Sequence, residues 1–160
     1  GDHITWIFPG NDFTESDILP LEWFDGEFYP PQEIRDLYAG KEYPAESAML
    51  IGTEGALLLP HGGTPILLPE EKFKDYQMPA FEPGNHYHNF VVACLGGPAS
   101  ASHFEQTGPM TEAIILGTVA IRVPDKLLEW DSDKLKITNN EEANKYLKRT
   151  YRKGWSAGPF

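Results

Sequence analysis

One cysteine, Cys94, stands alone among the 160 residues. A single thiol closes no internal disulfide and builds no multi-cysteine zinc site, so burial and hydrogen bonding must hold the chain together. Basic residues are scarce as well: 13 Lys and Arg against 24 Asp and Glu leave a formal charge of −11. Duplex nucleic acid and anionic membranes carry the same sign, so neither is an expected partner, whereas neutral polar molecules stay open. No run of about 18 apolar residues is present and no charged start leads into an apolar signal core, so a soluble chain is expected, cytoplasmic or exported. The chain opens Gly1-Asp2-His3 and passes at once into ITWIFP. That start reads as a cut inside a longer protein, in which case any export signal would lie upstream of Gly1.

What is present suffices for a core. Four Trp, seven Tyr and nine Phe in a chain of this length can offset the conformational entropy of folding, and a single domain spanning residues 1–160 is expected. His3 to Phe8 alternates and is rich in β-formers, as is Ile18 to Phe24; Pro20 in the second run indicates an edge or a bulge. Gln32 to Tyr38 fits one or two helical turns. From Ala48, AMLIG, ALLLP and PILLP are separated by Thr-Glu-Gly and His-Gly-Gly-Thr, the signature of an antiparallel meander. Its nearly continuous apolar runs predict strands covered on both faces. Glu70 to Tyr76 is a short helical candidate.

In GNHYHNFVVACLGG (84–97), Asn85 is a good N-cap. Tyr87, Phe90, Val91 and Cys94 recur at the spacing of a helix that buries one face, and Gly96-Gly97 stops it. Pro109 then suits a first helical position, followed by the apolar MTEAIILGTVAIRV, predicted to be a core helix. Lys126 to Trp130 and Leu135 to Thr138 read as strands, and Glu141 to Arg149 as a last helix before a tail. The fold class that follows is α+β, with a mostly antiparallel or mixed sheet and helices packed on one face.

His86 and His88 raise the question of a metal. On a helix, residues two apart diverge by about 200°, so the pair would sit on opposite flanks and share no ion. On a strand they would share a face, the basis of a cupin-like reading, but the glutamate that such a site wants is replaced by Val91-Val92. The helical period favours two separate flank residues and no metal ligands. A neutral imidazole at a helix N-terminus is a reasonable partner for a substrate hydroxyl, which makes both substrate-proximal candidates. Cys94 reads as a small buried hydrophobe with no base to activate it. The glycines form neither GxGxxG nor a Walker pattern. Trp6, Trp23 and Trp130 are expected in the core. Trp155, in a Gly-flanked tail with Tyr151 and Arg152, is placed to pin that tail to the core or to another domain, and these three complete the candidate pocket residues.

The series LEWFDG (21–26), a Pro-Pro step, MLIGTEGALLLP, HYHNFVVACLGG, GPMTEAIILGTVAIRV and KLLEWDSDKLKITNNEEANKYLKRTYRKGW resembles, in that order, the C-terminal half of bacterial glucose–fructose oxidoreductase-like (Gfo/Idh/MocA) enzymes. The resemblance covers nearly all of the chain and rests on order and spacing, each motif alone being loose. It implies a substrate-side and oligomerisation domain of an NAD- or NADP-dependent sugar or polyol oxidoreductase, whose N-terminal Rossmann domain lies outside this chain. It also implies homo-oligomers, and some relatives use a retained cofactor to cleave glycosides. The family's Glu-Lys-Pro motif with its catalytic lysine is absent here, and its Asp and His would fall upstream of Gly1. No catalytic residue is therefore carried over, no cofactor is expected on this segment, and it is expected to be inactive alone. A stand-alone carbohydrate-binding or scaffolding domain is the alternative from a different class.

Overall fold

A computed structural model describes residues 1–38, 40–80 and 84–155. It is an α+β protein in which every ladder is antiparallel: β1 (His3–Pro9) pairs with β2 (Ile18–Phe24), β3 (Ser47–Gly52), β4 (Gly55–Pro60) and β5 (Ile66–Leu68) form a meander, and β6 (Trp130–Asp131) pairs with β7 (Lys136–Ile137). The chain divides into two compact units, one from Gly1 to Gly84 and one from Asn85 onward.

In the first unit, β1 and β2 pair from His3↔Phe24 to Pro9↔Ile18. Opposite residues of an antiparallel pair share a face, so Ile4, Trp6 and Phe8 line up with Trp23, Leu21 and Leu19 as one wholly apolar surface. Pro20 is accommodated because a two-stranded sheet consists of edges, where a missing N–H costs no ladder bond. The expectation of a core position for Trp23 does not hold. It is 53 % exposed, because no second layer covers this hairpin among the described residues; its indole instead donates to Asp25 Oδ2 at 2.9 Å. Asp25 Oδ1 also accepts the Asp2 amide at 2.8 Å, which ties the first residues to the end of β2. These two bonds, the indole's first, hold the Asp25 carboxyl below the usual carboxylate range.

The meander follows its predicted order, with Thr53-Glu54 closing the β3–β4 turn. The central strand β4 buries Ala56 and Leu58 against Leu68 of β5, and Tyr38, Tyr43, Met49 and Ile66 pack around them. Leu58 is 0 % exposed, a burial that stabilises by roughly 1.5–3 kcal/mol. Only one face is sealed among the described residues, since Leu50 of β3, paired with Leu57 on the face opposite Leu58, stays open, which corrects the two-sided expectation. The helical turns Gln32–Arg35 (α1) and Glu70–Phe73 (α2) fall where the sequence places them. Lys72 of α2 reaches back to the β3–β4 turn, donating to Glu54 O at 2.6 Å and Glu54 Oε2 at 2.7 Å. Gly55 permits this close packing: a Cβ there would lie 2.3 Å from Leu68 O and 2.7 Å from the Phe73 ring.

The second unit opens with α3 (His86–Cys94) and α4 (Phe104–Ala120). Asn85 Oδ1 accepts the His88 amide at 3.0 Å, the predicted N-cap. At the other end Gly96 has φ +87, and Gly96 and Gly97 donate to the carbonyls of Ala93 and Val92 at 3.1 and 3.0 Å, the Schellman geometry that a glycine permits. The helix is as predicted, but its face is not. Tyr87, Phe90, Val91 and Cys94 are all exposed, because no other element packs on them among the described residues. The same correction applies to α4, where Ile114 and Ile115 are exposed and only Gly117 and Val119 are buried.

Helix α4 begins at Phe104, so Pro109 lies inside it rather than at its start. The ring removes the donor that would have reached the carbonyl of Glu105, one turn back. Gly108, immediately before it, carries no Cβ to collide with the proline ring. The predicted strand from Lys126 and the final helix from Glu141 shrink to two-residue strands and a 3-10 turn at Ala143–Tyr146. Asparagines explain the difference by taking backbone groups with their side chains. Asn139 accepts the Glu129 amide at 3.0 Å and donates to Leu127 O at 2.9 Å. Asn144 accepts the Ile137 amide at 2.9 Å and donates to Ile137 O at 2.8 Å and Asn140 O at 3.1 Å. It thus stands in for a third strand beside β7. The core here is Val119, Val123, Ile137 and Ala143, with Leu128, Trp130 and Leu147 against it; the Trp130 indole donates to Glu112 Oε1 at 2.7 Å.

Candidate functional site

All five candidates drawn from the sequence, His86, His88, Tyr151, Arg152 and Trp155, belong to the second unit. His86 and His88 occupy the first turn of α3 and are exposed. As the helix requires, they diverge around the axis, and the His86 ring lies against Tyr87 with centroids 4.0 Å apart. Among the described residues no three His, Cys, Asp or Glu side chains come together as a metal-binding group. Cys94, two turns on from Tyr87, is exposed rather than packed as a small hydrophobe.

The other three form a second cluster. Gly154, with φ +83, turns the chain so that the Trp155 amide donates to Arg152 O at 3.0 Å. The Arg152 guanidinium then lies 4.0 Å from the centre of the Trp155 ring, and Arg149 lies 5.7 Å from that of Tyr151. A guanidinium over an aromatic face is held by the ring quadrupole and keeps its outward N–H groups for an acceptor. The structure therefore joins Arg152 to Trp155, with Tyr151 alongside on the same short segment. No hydrogen bond or ring contact links this cluster to His86 or His88.

One concavity went unread in the sequence. In the first unit, an open groove of about 440 Å³ runs between β5 and the segment after α2. Ile66, Phe73, Tyr76 and Met78 give it apolar walls, with Glu71 and Lys74 among its polar lining. The lining thus sets an aromatic wall beside carboxylate acceptors and an ammonium donor. The signal was available: Phe73, Tyr76 and Met78 are interspersed among the polar residues of EEKFKDYQM, the segment that follows the apolar PILLP. A second open hollow, about 330 Å³, is polar and lined by the β1–β2 loop, including Asp12, Glu15 and Asp17.

Three exposed ion pairs accompany these surfaces. Lys72 holds the Glu54 carboxyl below its ordinary range, chiefly by its hydrogen bond. Asp131 and Lys134, 2.6 Å apart, move in opposite directions for the same reason, the acid down and the amine up. Lys41 is raised by its hydrogen bond to Glu70. All are structural ties at turns and carry no sign of acid–base chemistry. Comparison with protein-family models, with curated proteins and with solved structures finds no match.

Proposed function

We propose that this chain is the substrate-side domain of an NAD(P)-dependent sugar or polyol oxidoreductase of the glucose–fructose oxidoreductase-like type. The observation that carries the reading is the ordered series of motifs from LEWFDG to KRTYRKGW, which resembles that family's second domain over nearly the whole chain. The exposed apolar faces of α3, α4 and the β1–β2 hairpin support it, since a segment that normally packs against further protein leaves such faces open when taken alone.

The residues present do not fit a nicotinamide dinucleotide. Among the described residues no glycine-rich turn joins a strand to the N-terminus of a long helix, so they offer the pyrophosphate no cradle. In this reading the cofactor belongs to a separate Rossmann domain, and this chain contributes a wall of the substrate site and part of an oligomer interface. His86, His88, Tyr151, Arg152 and Trp155 are its proposed substrate-side groups. Hydride transfer requires the nicotinamide to be held against the substrate carbon, so the segment alone turns nothing over.

Calorimetric titration of the chain with mono- and disaccharides, with and without NAD or NADP, tests this. The expected result is negligible sugar affinity and no cofactor binding. Millimolar or tighter sugar binding without nucleotide would replace the proposal by a stand-alone carbohydrate-binding domain, whose motivating feature is the exposure of Trp155 and Trp23.

A further inference from the structure

Charge is not spread evenly along this acidic chain. From Gly1 to Ile34 there are eight Asp and Glu and no Lys or Arg, whereas Ala143 to Trp155 holds Lys145, Lys148, Arg149, Arg152 and Lys153 and no acid. Both stretches are displayed. Asp12, Glu15 and Asp17 are exposed on the β1–β2 loop and line its open polar hollow. The five cations are exposed; Arg149 and Arg152 lie on the rings of Tyr151 and Trp155, and among the described residues neither pairs with a carboxylate. Stacked guanidinium groups are already ordered, so little rotamer entropy remains to be lost when their outward N–H groups meet an acceptor. Trp155, 63 % exposed, adds the aromatic anchor typical of interface centres.

We propose that the segment from Lys145 to Trp155 docks on the acidic β1–β2 loop of a second copy of this chain. The inference stands independently of the oxidoreductase reading. Charge decides the partner. A net −11 repels a polyanion of high charge density over the whole molecule, whereas a second copy offers a local patch of carboxylates free of Lys and Arg, opposite a local patch of cations free of acids. Such a contact joins two different surfaces. It closes when each copy's tail reaches the other's loop and otherwise propagates head to tail.

Sedimentation equilibrium across ionic strength is the test. Docking of this kind weakens about tenfold or more between roughly 50 mM and 500 mM salt, because the Debye length shrinks from above 10 Å to a few ångströms. An association through the apolar faces would strengthen instead. Two variants make the assignment specific: Arg149→Glu/Arg152→Glu/Lys153→Glu and Asp12→Lys/Glu15→Lys/Asp17→Lys. Each alone is expected to lose self-association, and an equimolar mixture is expected to regain it, because the reversed tail meets the reversed loop. A monomer at every salt concentration, association that persists in the tail variant, or no recovery on mixing would overturn the proposal. So would tighter binding of the parent chain to a single-stranded oligonucleotide or to phosphatidylserine vesicles than to itself.

Discussion

Replacing Gly55 by Ala asks whether the meander and α2 are packed as closely as their geometry states. A new Cβ would stand 2.3 Å from Leu68 O, 2.7 Å from Phe73 Cε2 and 3.0 Å from Phe73 Cζ. The ring can turn aside, but the carbonyl belongs to a residue in register with Ala56 in the β4–β5 ladder, so the strands themselves must part. Overpacking of this kind costs about 1–3 kcal/mol. Alanine also restricts the unfolded chain, which returns about 0.4–1 kcal/mol. The net expectation is a loss of about 1–2 kcal/mol, a five- to thirtyfold fall in the ratio of folded to unfolded molecules. Urea unfolding with hydrogen exchange read separately on residues 1–84 and 85–155 measures it, and protection should fall in the first unit. The further substitution Phe73→Ala should not rescue the variant, because the shortest contact is to backbone. A Gly55→Ala protein as stable as its parent would refute the reasoning, and full rescue by Phe73→Ala would move the clash from the strand to the ring.

Asn144→Ala removes three side-chain hydrogen bonds and leaves both polar groups of Ile137 without them. A loss of about 1–3 kcal/mol is expected in the second unit, read as faster exchange of the Ile137 amide. Pro109→Ala restores a donor for the Glu105 carbonyl in α4 and should raise helicity and stability by up to about 3 kcal/mol, measured by circular dichroism during thermal unfolding. The carboxyls of Asp25, Glu54 and Asp131 are lowered in the folded chain, so their contribution is present above the ordinary carboxylate range and is lost as pH falls through their folded values. Lys41 and Lys134 are raised, so theirs is present below the ordinary lysine range and lost as pH climbs through the folded values. The urea midpoint should therefore be flat near neutrality and decline at both ends, and Asp25→Asn should reduce the acid limb.

Elements whose signals are local were legible in the sequence. Asn85, Gly96 and Gly97 bound α3 through bonds within a few residues, and Gly-rich turns separate the strands of the meander. Burial was not legible in the same way. The apolar spacing of Tyr87, Phe90, Val91 and Cys94 identifies a helix face without saying what covers it, and these side chains are open. Trp23 was misplaced because a two-stranded hairpin supplies no second layer. The last third failed for a different reason: Asn139, Asn140 and Asn144 divert backbone groups into side-chain bonds, and a composition that favours helix after Glu141 does not reveal that competition. Of the candidate site, the adjacency of Arg152 and Trp155 follows from the turn at Gly154, while the groove beside Phe73 and Met78 depends on how α2 sits on β5.

Turnover by the full-length protein tests the proposed function most directly. Reduction of NAD or NADP, followed by absorbance of the reduced nicotinamide in the presence of a panel of sugars and polyols, is the expected result. Loss of that activity in the isolated 160-residue chain would place the cofactor outside it. A natural protein that binds saccharides but neither binds nor reduces a nicotinamide cofactor would contradict the account.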